Sequence, residues 1–565
     1  MKREEKLIAG VAYHGKERKA VATKFCFYHP YHPDTWDAMM ACGLVKAGDG
    51  VRFTESLLLP ECEKFNEICA VGSKLYTYLE KTRSPFYIDR LQGGCHIESY
   101  PYDMELVMKY RKMLGDKFLG FQMHEWLSNY YSDLRKLKGV ADENWGEEEI
   151  ERVIREKFPT PQLFLESMTL AEMAAHKRPK CIADFCANMF NIYRRRKESH
   201  RDLVPCDSAY LAFAFELREG AELICAEVGG QSADMRMQLS YARAMARAHG
   251  KKFGAYYEPW GGDPFTTCCY HKEEKNEWGV GDIKDFPFVT GGPNGGSSRS
   301  LQRRVMLYAY LCNADMMSEE WGLCNTFVDW KDFELSEYGK VKLEFLEFTR
   351  KYTDVGDKLT PAAVVLPEAL EVLDDIRSPY TYCGFKVPVP LNCKLERIKD
   401  SIRHVFSDPI EFMGTEYKTL INSKMPDAVD MLNAGAEREA AIDSYPYLID
   451  LTGDPNFAAA HPNCVQIHEL EEILRETLPC EVEGFHWIVN EREGGGYYLT
   501  VFNHIGVTRS VAEGEHLLAE ATRTGKVRFK NGAVPTLLEG DGTLLREGEE
   551  YRITIPAGGF AFICF

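Results

Sequence analysis

The 565-residue sequence has no long basic run, no apolar stretch of membrane-spanning length and no nucleotide-binding signature. Its longest basic run covers only residues 194–197, and a net charge of −18 repels phosphate groups, so binding to nucleic acid or to an anionic membrane is disfavoured. No segment approaches the roughly 18 consecutive apolar residues of a transmembrane helix. The Gly- and Ser-rich run at 291–298 lacks the GxxxxGKS or GxxxxGKT order of a phosphate-binding loop.

CxxC pairs are also missing, although the chain contains 18 cysteines. Scattered cysteines in a long chain without a secretion signal predict buried free thiols rather than a zinc site or a disulfide framework. The first residues, MKREEKLI, are charged and lack the apolar core of about 7–15 residues that a signal peptide needs. We therefore expect a cytoplasmic protein, and the sequence implies no metal and no cofactor.

The first 330 residues alternate short apolar runs with amphipathic stretches, the pattern of a parallel α/β domain. Strands are predicted at 24–29, 50–56, 86–92, 118–126, 202–207, 221–228, 253–260 and 314–321. Helices are predicted between them at 103–117, 181–200 and 235–250. A doubly wound sheet would also show alternating strands and helices, but eight strand–helix units in series favour closure into a (β/α)8 TIM barrel. The active site of such a barrel lies at the C-terminal ends of the strands.

The pattern changes after the eighth predicted strand. A long helix at 336–351 precedes a renewed strand–helix alternation from 362 to 478, which predicts a smaller Rossmann-like α/β domain. From about residue 482 short strands separated by Gly-rich turns predict a C-terminal β-sandwich. The predicted domains are thus a catalytic barrel at 1–355, an α/β domain at 356–480 and a β-sandwich at 481–565.

Acidic residues stand at the ends of four predicted strands, and three of these ends also carry a tryptophan. They are Glu125 with Trp126, Glu258 with Trp260, Glu319 and Glu320 with Trp321, and Glu227 without one. A carboxylate in an apolar strand is costly unless it is paired or faces a polar pocket. Each could simply pair with an arginine at the barrel rim, such as Arg52 or Arg90, but four together favour a functional cleft.

Two carboxylates and aromatic platforms are the groups that hydrolysis of a glycosidic bond requires. One acid protonates the leaving oxygen, and the other carboxylate attacks the anomeric carbon or activates water. Indole faces can stack on the C–H faces of a sugar ring. Trp321 is the candidate platform for the cleaved sugar, with Trp260 and Trp126 behind it, although core packing explains each ring almost as well.

Glutamates at the ends of strands four and seven are the hallmark of clan A glycoside hydrolases. The order of barrel, smaller α/β domain and short β domain resembles the trimeric β-galactosidases of glycoside hydrolase family 42 and their relatives. The likeness rests on the segments GAYYEPW at 254–260, FQMHE at 121–125, and the helix at 303–313 leading to MMSEEW at 316–321. The resemblance implies Glu125 as the general acid/base, Glu258 as the nucleophile and a homotrimer formed through the middle domain.

One position departs from the family pattern. Clan A enzymes usually have Asn before the acid/base, where it contacts the sugar 2-hydroxyl, but this chain has His124. A ring N–H could make the same hydrogen bond, or His124 could be a structural residue beneath the rim. Glu227 could bind the nucleophile or the substrate, or pair with an arginine.

Four further residues near the strand ends are candidates for supporting roles. Glu319 and Glu320 are adjacent, so a strand directs them to opposite faces and at most one, taken as Glu320, points into the cleft. Arg52 could keep Glu258 ionised, because a nearby cation lowers the pKa of a carboxyl group. Arg90 could bind sugar hydroxyls or have a structural role within its strand.

The sequence therefore predicts a retaining exo-acting β-glycosidase that removes the non-reducing terminal sugar of oligosaccharides, galactosidase-like by analogy. An inverting glycoside phosphorylase on a related barrel is an alternative, since phosphate can replace the enzymic nucleophile. A barrel that binds sugar without catalysis is another. The expected partners are an oligosaccharide or glycoside substrate and further copies of the chain, with no nucleic acid and no membrane.

Overall fold

The computed structural model of the protein describes most of the chain outside several loops. The described residues are 7–14, 35–54, 65–89, 102–124, 126–127, 182–207, 211–228, 235–257, 298–319, 326–328, 332–373, 381–382, 385–386, 389–406, 408–412, 415–419, 425–510 and 514–565. Within these ranges the chain forms a closed parallel barrel, a small parallel sheet, two larger antiparallel sheets and three two-stranded sheets.

Eight parallel strands close into a barrel in the order in which they occur in the chain. They are β1 Leu7–His14, β2 Gly50–Thr54, β3 Phe86–Asp89, β4 Phe118–His124, β5 Leu203–Asp207, β6 Leu223–Val228, β7 Lys252–Tyr257 and β8 Met316–Glu319. Strand β1 pairs with both β2 and β8, which completes the ring. The α/β barrel predicted from the eight strand–helix units is confirmed.

The first strand of the barrel is not the predicted one. The sequence pattern assigns it to residues 24–29, but β1 is Leu7–His14 and occupies the edges of both neighbouring strands. No edge remains for another strand at that place, so the assignment was wrong; residues 24–29 themselves lie outside the described residues. The aromatic run KFCFYH has the higher strand propensity, whereas LIAGVAYH contains Gly and Ala, which are depleted in strands.

Helices follow the barrel strands and pack their apolar faces on the outside of the ring. They are α1 Thr35–Ala41, α2 Phe65–Ile68, α3 Lys74–Thr82, α4 Met104–Leu114, α5 Ile182–His200, α6 Phe213–Arg218, α7 Met235–Ala248, α8 Arg299–Leu311 and α9 Glu337–Lys351. The Asp103 carboxylate accepts hydrogen bonds from two backbone N–H groups in the first turn of α4, so the chain begins a helix where the sequence predicts one. None of the helices in the described ranges is long and apolar enough to cross a membrane.

A three-stranded parallel sheet follows the barrel, with β10 Ala362–Leu366 between β15 Val429–Asn433 and β16 Tyr447–Asp450. Every residue of β10 and β15 is buried, as expected for strands covered on both faces, and β15 includes the polar residues Asp430 and Asn433. The remaining elements of this part are the hairpins β11 Thr381–Tyr382 with β12 Phe385–Lys386 and β13 Asp408–Phe412 with β14 Thr415–Thr419, and the helices α10 Val389–Phe406, α11 Glu439–Ile442, α12 Phe457–Ala460 and α13 Leu470–Thr477.

Two antiparallel sheets contain nearly all of the C-terminal strands. The four-stranded sheet contains β17 Cys480–Val482, β22 Arg523–Phe529, β25 Glu550–Ile555 and β24 Thr543–Glu547, in that order. The five-stranded sheet contains β23 Thr536–Gly540, β26 Phe560–Cys564, β19 Tyr497–Phe502, β18 His486–Glu491 and β9 Asp357–Lys358. A separate hairpin joins β20 Val507–Ser510 to β21 Gly514–Leu517. Because β9 follows the barrel directly but pairs with β18, the predicted boundary between residues 480 and 481 separates two segments that share a sheet.

The barrel and the sheets that follow it are joined by a buried cluster of charges around Asp427, just before β15. Its carboxylate forms ion pairs with Arg236 of α7 at 3.2 Å and with Lys358 of β9 at 2.6 Å, and it contacts the His486 ring of β18 at 2.9 Å. Burial alone raises the pKa of Asp427, but Lys358, Arg236 and His486 outweigh burial and hold the pKa well below its ordinary value. This carboxylate therefore connects α7 of the barrel with β9 and β18 of the five-stranded sheet.

Candidate active site

The interior of the barrel changes from apolar to polar along its strands. Near the N-terminal ends it is lined by Val204, Leu223 and Met316. Towards the C-terminal ends the buried side chains with polar groups include Arg52, Tyr87, Gln122, Glu227, Tyr256 and Ser318. Residues two apart lie on the same face of a strand, so each strand contributes one line of side chains to the interior. Apolar side chains normally fill a TIM barrel, and a polar layer below the C-terminal face therefore marks a candidate site.

Arg52 of β2 links this polar layer to two other strands. Its guanidinium donates hydrogen bonds to the Ser318 hydroxyl at 3.2 Å and to the backbone carbonyl of Glu319 on β8. It also lies over the Tyr256 ring of β7, with Cζ 5.6 Å from the ring centroid. The Tyr87 hydroxyl forms a further hydrogen bond with Ser318. Arginine stays charged at any physiological pH, so Arg52 supplies a fixed positive charge inside the barrel.

Glu227 of β6 adds a carboxylate to the same layer. It is completely buried and lies opposite Tyr256 in the pairing of β6 with β7. Burial, the neighbouring Cys225 thiol and the charge of Glu227 all raise the pKa of the Cys206 thiol, whereas a hydrogen bond with Gln122 lowers it. The polar layer therefore continues around the ring from β4 to β7. Glu227 is one of the acidic residues predicted at strand ends, and in the structure it is buried among these interior polar groups.

Glu319 points away from the interior of the barrel. Its carboxylate forms an ion pair with Lys342 and accepts a hydrogen bond from the Tyr338 hydroxyl, and both partners belong to α9. The next residue, Glu320, lies outside the described residues.

Trp126 is buried among helices rather than exposed in a cleft. Its ring is 0% exposed and packs against Tyr193 of α5 and Phe215 of α6, with ring centroids 5.2 and 6.0 Å away. A ring without an exposed face cannot stack on a sugar, so the predicted platform at Trp126 is corrected to a core position. The apolar size of tryptophan favours burial wherever helices cover the outer face of a strand end.

Two buried carboxylates fix the turn that follows β4. The Trp126 indole N–H donates to Glu216 of α6 at 3.1 Å, and the Leu127 backbone N–H donates to Asp207, the last residue of β5, at 2.9 Å. Burial raises the pKa of Glu216 to about 8; the Trp126 hydrogen bond opposes this and the Asp207 charge adds to it. Asp207 and Glu216, which the sequence analysis missed, thus position the two residues that come directly after Glu125.

The other predicted site residues lie outside the described residues or are described only in their backbone. Outside them are Glu125, Glu258, Glu320, Arg90, Trp260 and Trp321, while His124 is the last residue of β4 with its side chain not described. Strands β4 and β7 end at His124 and Tyr257, so the two candidate catalytic glutamates are the residues immediately following them.

The interior polar residues that the sequence analysis missed have a simple signature. Tyr87, Gln122, Tyr256 and Ser318 each stand two residues before a polar residue at a strand end, respectively Asp89, His124, Glu258 and Glu320. A two-residue period of polar side chains near the end of an apolar strand is the signal that could have identified them. They were instead treated as ordinary strand residues.

Three donor groups that could hold a metal ion lie together within the described residues, outside the barrel. They are Glu439, Asp443 and His461, beside the three-stranded sheet. Two histidines at and after the end of the predicted first strand, His29 and His32, lie outside the described residues.

No protein-family model and no curated protein matches this chain. Among solved structures, the catalytic module of a family 98 glycoside hydrolase from Streptococcus pneumoniae TIGR4 matches 100% of this chain and 99% of its own at 7% identity and a TM-score of 0.43. An α-L-fucosidase from Paenibacillus thiaminolyticus matches 99% of each chain at 8% identity and a TM-score of 0.42. A β-galactosidase from the haloarchaeon Halorubrum lacusprofundi matches 99% of each at 9% identity and 0.40. The function is therefore argued from the residues of the barrel itself.

Proposed function

We propose that this protein is a glycoside hydrolase, a retaining exo-acting β-glycosidase acting on the terminal sugar of an oligosaccharide. The observation that carries the proposal is the polarity of the barrel interior. Polar groups lie below the C-terminal face of a closed eight-stranded barrel, and Glu125 and Glu258 directly follow the fourth and seventh strands at that face. Active sites of TIM barrels form there from residues of several strands.

In this mechanism Glu125 is the general acid/base and Glu258 the nucleophile. Glu258 attacks the anomeric carbon while Glu125 protonates the departing oxygen, which gives a covalent glycosyl–enzyme intermediate. Glu125, now a carboxylate, removes a proton from water, and that water breaks the glycosyl–Glu258 bond with a second inversion at the anomeric carbon. The sugar is released with its original β configuration.

The described residues support this division of roles through their charges. Arg52 lies over the Tyr256 ring, two residues before Glu258, and a positive charge beside β7 favours an ionised nucleophile. Glu227 lies in the same layer, where a second negative charge opposes ionisation of a neighbouring acid. Arg52 and Glu227 together are proposed to set the protonation states of the two catalytic carboxyl groups.

Substrate contacts are proposed from the strand ends. We assign His124 to the sugar 2-hydroxyl and Glu320 to a further contact with the substrate. Arg90 is proposed to bind a further hydroxyl, and Trp260 and Trp321 to supply the apolar platforms. The platform role proposed for Trp126 is withdrawn because the ring is buried.

The remaining proposals concern the whole chain. We propose that the three-stranded sheet and its helices form the Rossmann-like domain of residues 356–480, which assembles a homotrimer. The two antiparallel sheets after it form a C-terminal β-sandwich at 481–565. Sedimentation of the full-length chain as a monomer would remove the trimer from this account.

Activity towards a panel of 4-nitrophenyl glycosides tests the function. Wild-type protein should hydrolyse one or more β-glycosides, and Glu258→Gln and Glu125→Gln should each lower kcat/KM by about 10³-fold or more, as expected when one member of a catalytic pair is lost. Glu319→Gln is the matched control, because Glu319 faces α9. Full activity of either Gln variant at position 125 or 258 would overturn the assignment. Release of sugar 1-phosphate only when phosphate is added would identify a phosphorylase.

A further inference from the structure

A histidine and two carboxylates meet beside the three-stranded sheet, outside the barrel. Glu439 begins α11 and Asp443 follows it one turn later, so both carboxylates lie on one face of the helical turn. His461 follows α12, and its Nε2 lies 3.1 Å from a Glu439 oxygen and 3.6 Å from an Asp443 oxygen. The three ligand atoms lie within 4.8 Å of one another.

The other nitrogen of the ring determines what His461 offers to this cluster. Nδ1 lies 3.0 Å from the backbone carbonyl of Phe457, and a carbonyl only accepts, so Nδ1 carries a proton. Nε2 faces two carboxylate oxygens. An Nε2 lone pair and two carboxylate oxygens at these distances form a set of ligand atoms that one cation can join. An Nδ1–H held by a backbone carbonyl is also the usual arrangement of a metal-bound histidine.

The distances fit a small divalent cation with mixed nitrogen and oxygen ligands. Zinc binds histidine nitrogen and carboxylate oxygen at about 2.0–2.2 Å in a tetrahedron, which places neighbouring ligand atoms about 3.3 Å apart. The two Nε2–oxygen distances, 3.1 and 3.6 Å, lie on either side of this value. A nitrogen ligand selects zinc over magnesium or calcium, which prefer oxygen alone.

The burial of the three side chains makes the cluster an open site. The His461 side chain is 5% exposed, whereas Glu439 and Asp443 are 52% and 65% exposed. The histidine is thus fixed by its surroundings, and the two carboxylates can adjust around an ion that enters from solvent. The fourth position faces water.

We propose that His461, Glu439 and Asp443 form a zinc-binding site with a water molecule as the fourth ligand. The site joins α11 to the residue after α12, and these two helices lie on either side of β16 in the chain. Bound zinc would therefore link the two connections of β16, an edge strand of the three-stranded sheet. Since the ion binds only the folded arrangement, it raises the stability of the native state.

Zinc binding by full-length, chelator-treated protein tests this proposal. Equilibrium dialysis should show that Glu439→Gln/Asp443→Asn binds one zinc ion per chain fewer than wild type, and the thermal stabilisation by zinc should be lost with it. Both acids are exposed, so this variant should fold. His461→Gln should lose the same ion. His468→Ala is the control, because His468 is an exposed histidine of the same region and should keep wild-type binding.

The test depends on the difference in bound zinc between wild type and variant rather than on the total zinc content, because other histidines and cysteines of the chain can bind zinc. Equal zinc content and equal thermal shifts in wild type and in the double acid variant would overturn the proposal and leave an ordinary histidine–carboxylate ion pair. A tenfold excess of magnesium should not displace the ion. Displacement by magnesium would also contradict the proposed nitrogen ligand.

Discussion

Glu319 and Glu320 are consecutive glutamates with different expected roles at the end of β8. The carboxylate of Glu319 is paired with Lys342 of α9, and the burial that lowers the pKa of Lys342 is opposed by this charge. Glu320 comes two residues after Ser318 in the sequence and is proposed to reach the substrate. The sequence showed that the two must diverge, and the α9 contacts identify which one faces outward.

Exchanging each of these glutamates for glutamine should separate stability from activity. Glu319→Gln leaves Lys342 buried without its counter-charge and should lower the free energy of unfolding by about 1–3 kcal/mol with kcat nearly unchanged. Glu320→Gln should leave stability within about 0.5 kcal/mol and lower kcat/KM at least about tenfold. Urea unfolding and steady-state kinetics on both variants measure this. A kinetic defect confined to the variant at 319 would reverse the assignment.

At the scale of elements, the turn after β4 depends on acids from two neighbours. Asp207 of β5 and Glu216 of α6 accept the backbone and indole N–H groups of the two residues after Glu125. A pattern of residue types can predict individual elements, as it predicts β5. It does not show that their acids reach across to another turn, because such contacts depend on how the elements pack.

Glu216 should make stability fall as the pH rises. Its pKa in the folded protein is about 8, above the ordinary value of 4.5, so between these two values the native state keeps a proton that the unfolded state loses. The free energy of unfolding should therefore fall by up to roughly 1.4 kcal/mol per pH unit across this window. Glu216→Gln, which keeps the acceptor for Trp126 without a titrating group, should remove that slope.

Thermal and urea unfolding from pH 5 to pH 8 measure this effect. The stability of Glu216→Gln should exceed that of wild type by an amount that grows with pH. Glu222→Gln is the control, since Glu222 is largely exposed and should leave the pH dependence unchanged. Parallel curves for wild type and Glu216→Gln would show that Glu216 titrates near its ordinary pKa.

The predicted elements agree with the structure where the local pattern is strong. The helix predicted at 235–250 is α7 at Met235–Ala248, because its amphipathic period is clear and a glycine follows it. The first barrel strand was missed, since LIAGVAYH has a weak strand pattern and its place is set by pairing with β2 and β8. Pairing between distant segments is a property of the assembled ring and leaves little trace in a single run of residues.

At the scale of the whole molecule, the Asp427 cluster joins the barrel to the sheets that follow it. Arg236, Lys358 and His486 come from three different elements and meet on one buried carboxylate. The sequence predicted the sheets from their patterns but gave no sign of this junction, because the partners of Asp427 are up to 191 positions away in the chain.

Removing the charge of Asp427 should lower the stability of the whole molecule. Asp427→Asn leaves two cations buried without a counter-charge and should lower the free energy of unfolding by about 3–5 kcal/mol. Asp400→Asn removes one side of an exposed ion pair with Arg403 and should cost less than about 1 kcal/mol. Urea unfolding of both variants provides the comparison. Equal stability of the two variants would show that the cluster does not hold the parts together.

The most direct test of the central claim is to trap the covalent intermediate. A 2-deoxy-2-fluoro glycoside of the sugar that the panel identifies slows release of the glycosyl group, and peptide mass mapping then locates the label. The account predicts one fluoroglycosyl group per chain on the peptide containing Glu258, and none on Glu258→Gln. A label on another residue, or hydrolysis that inverts the anomeric configuration, would contradict the account.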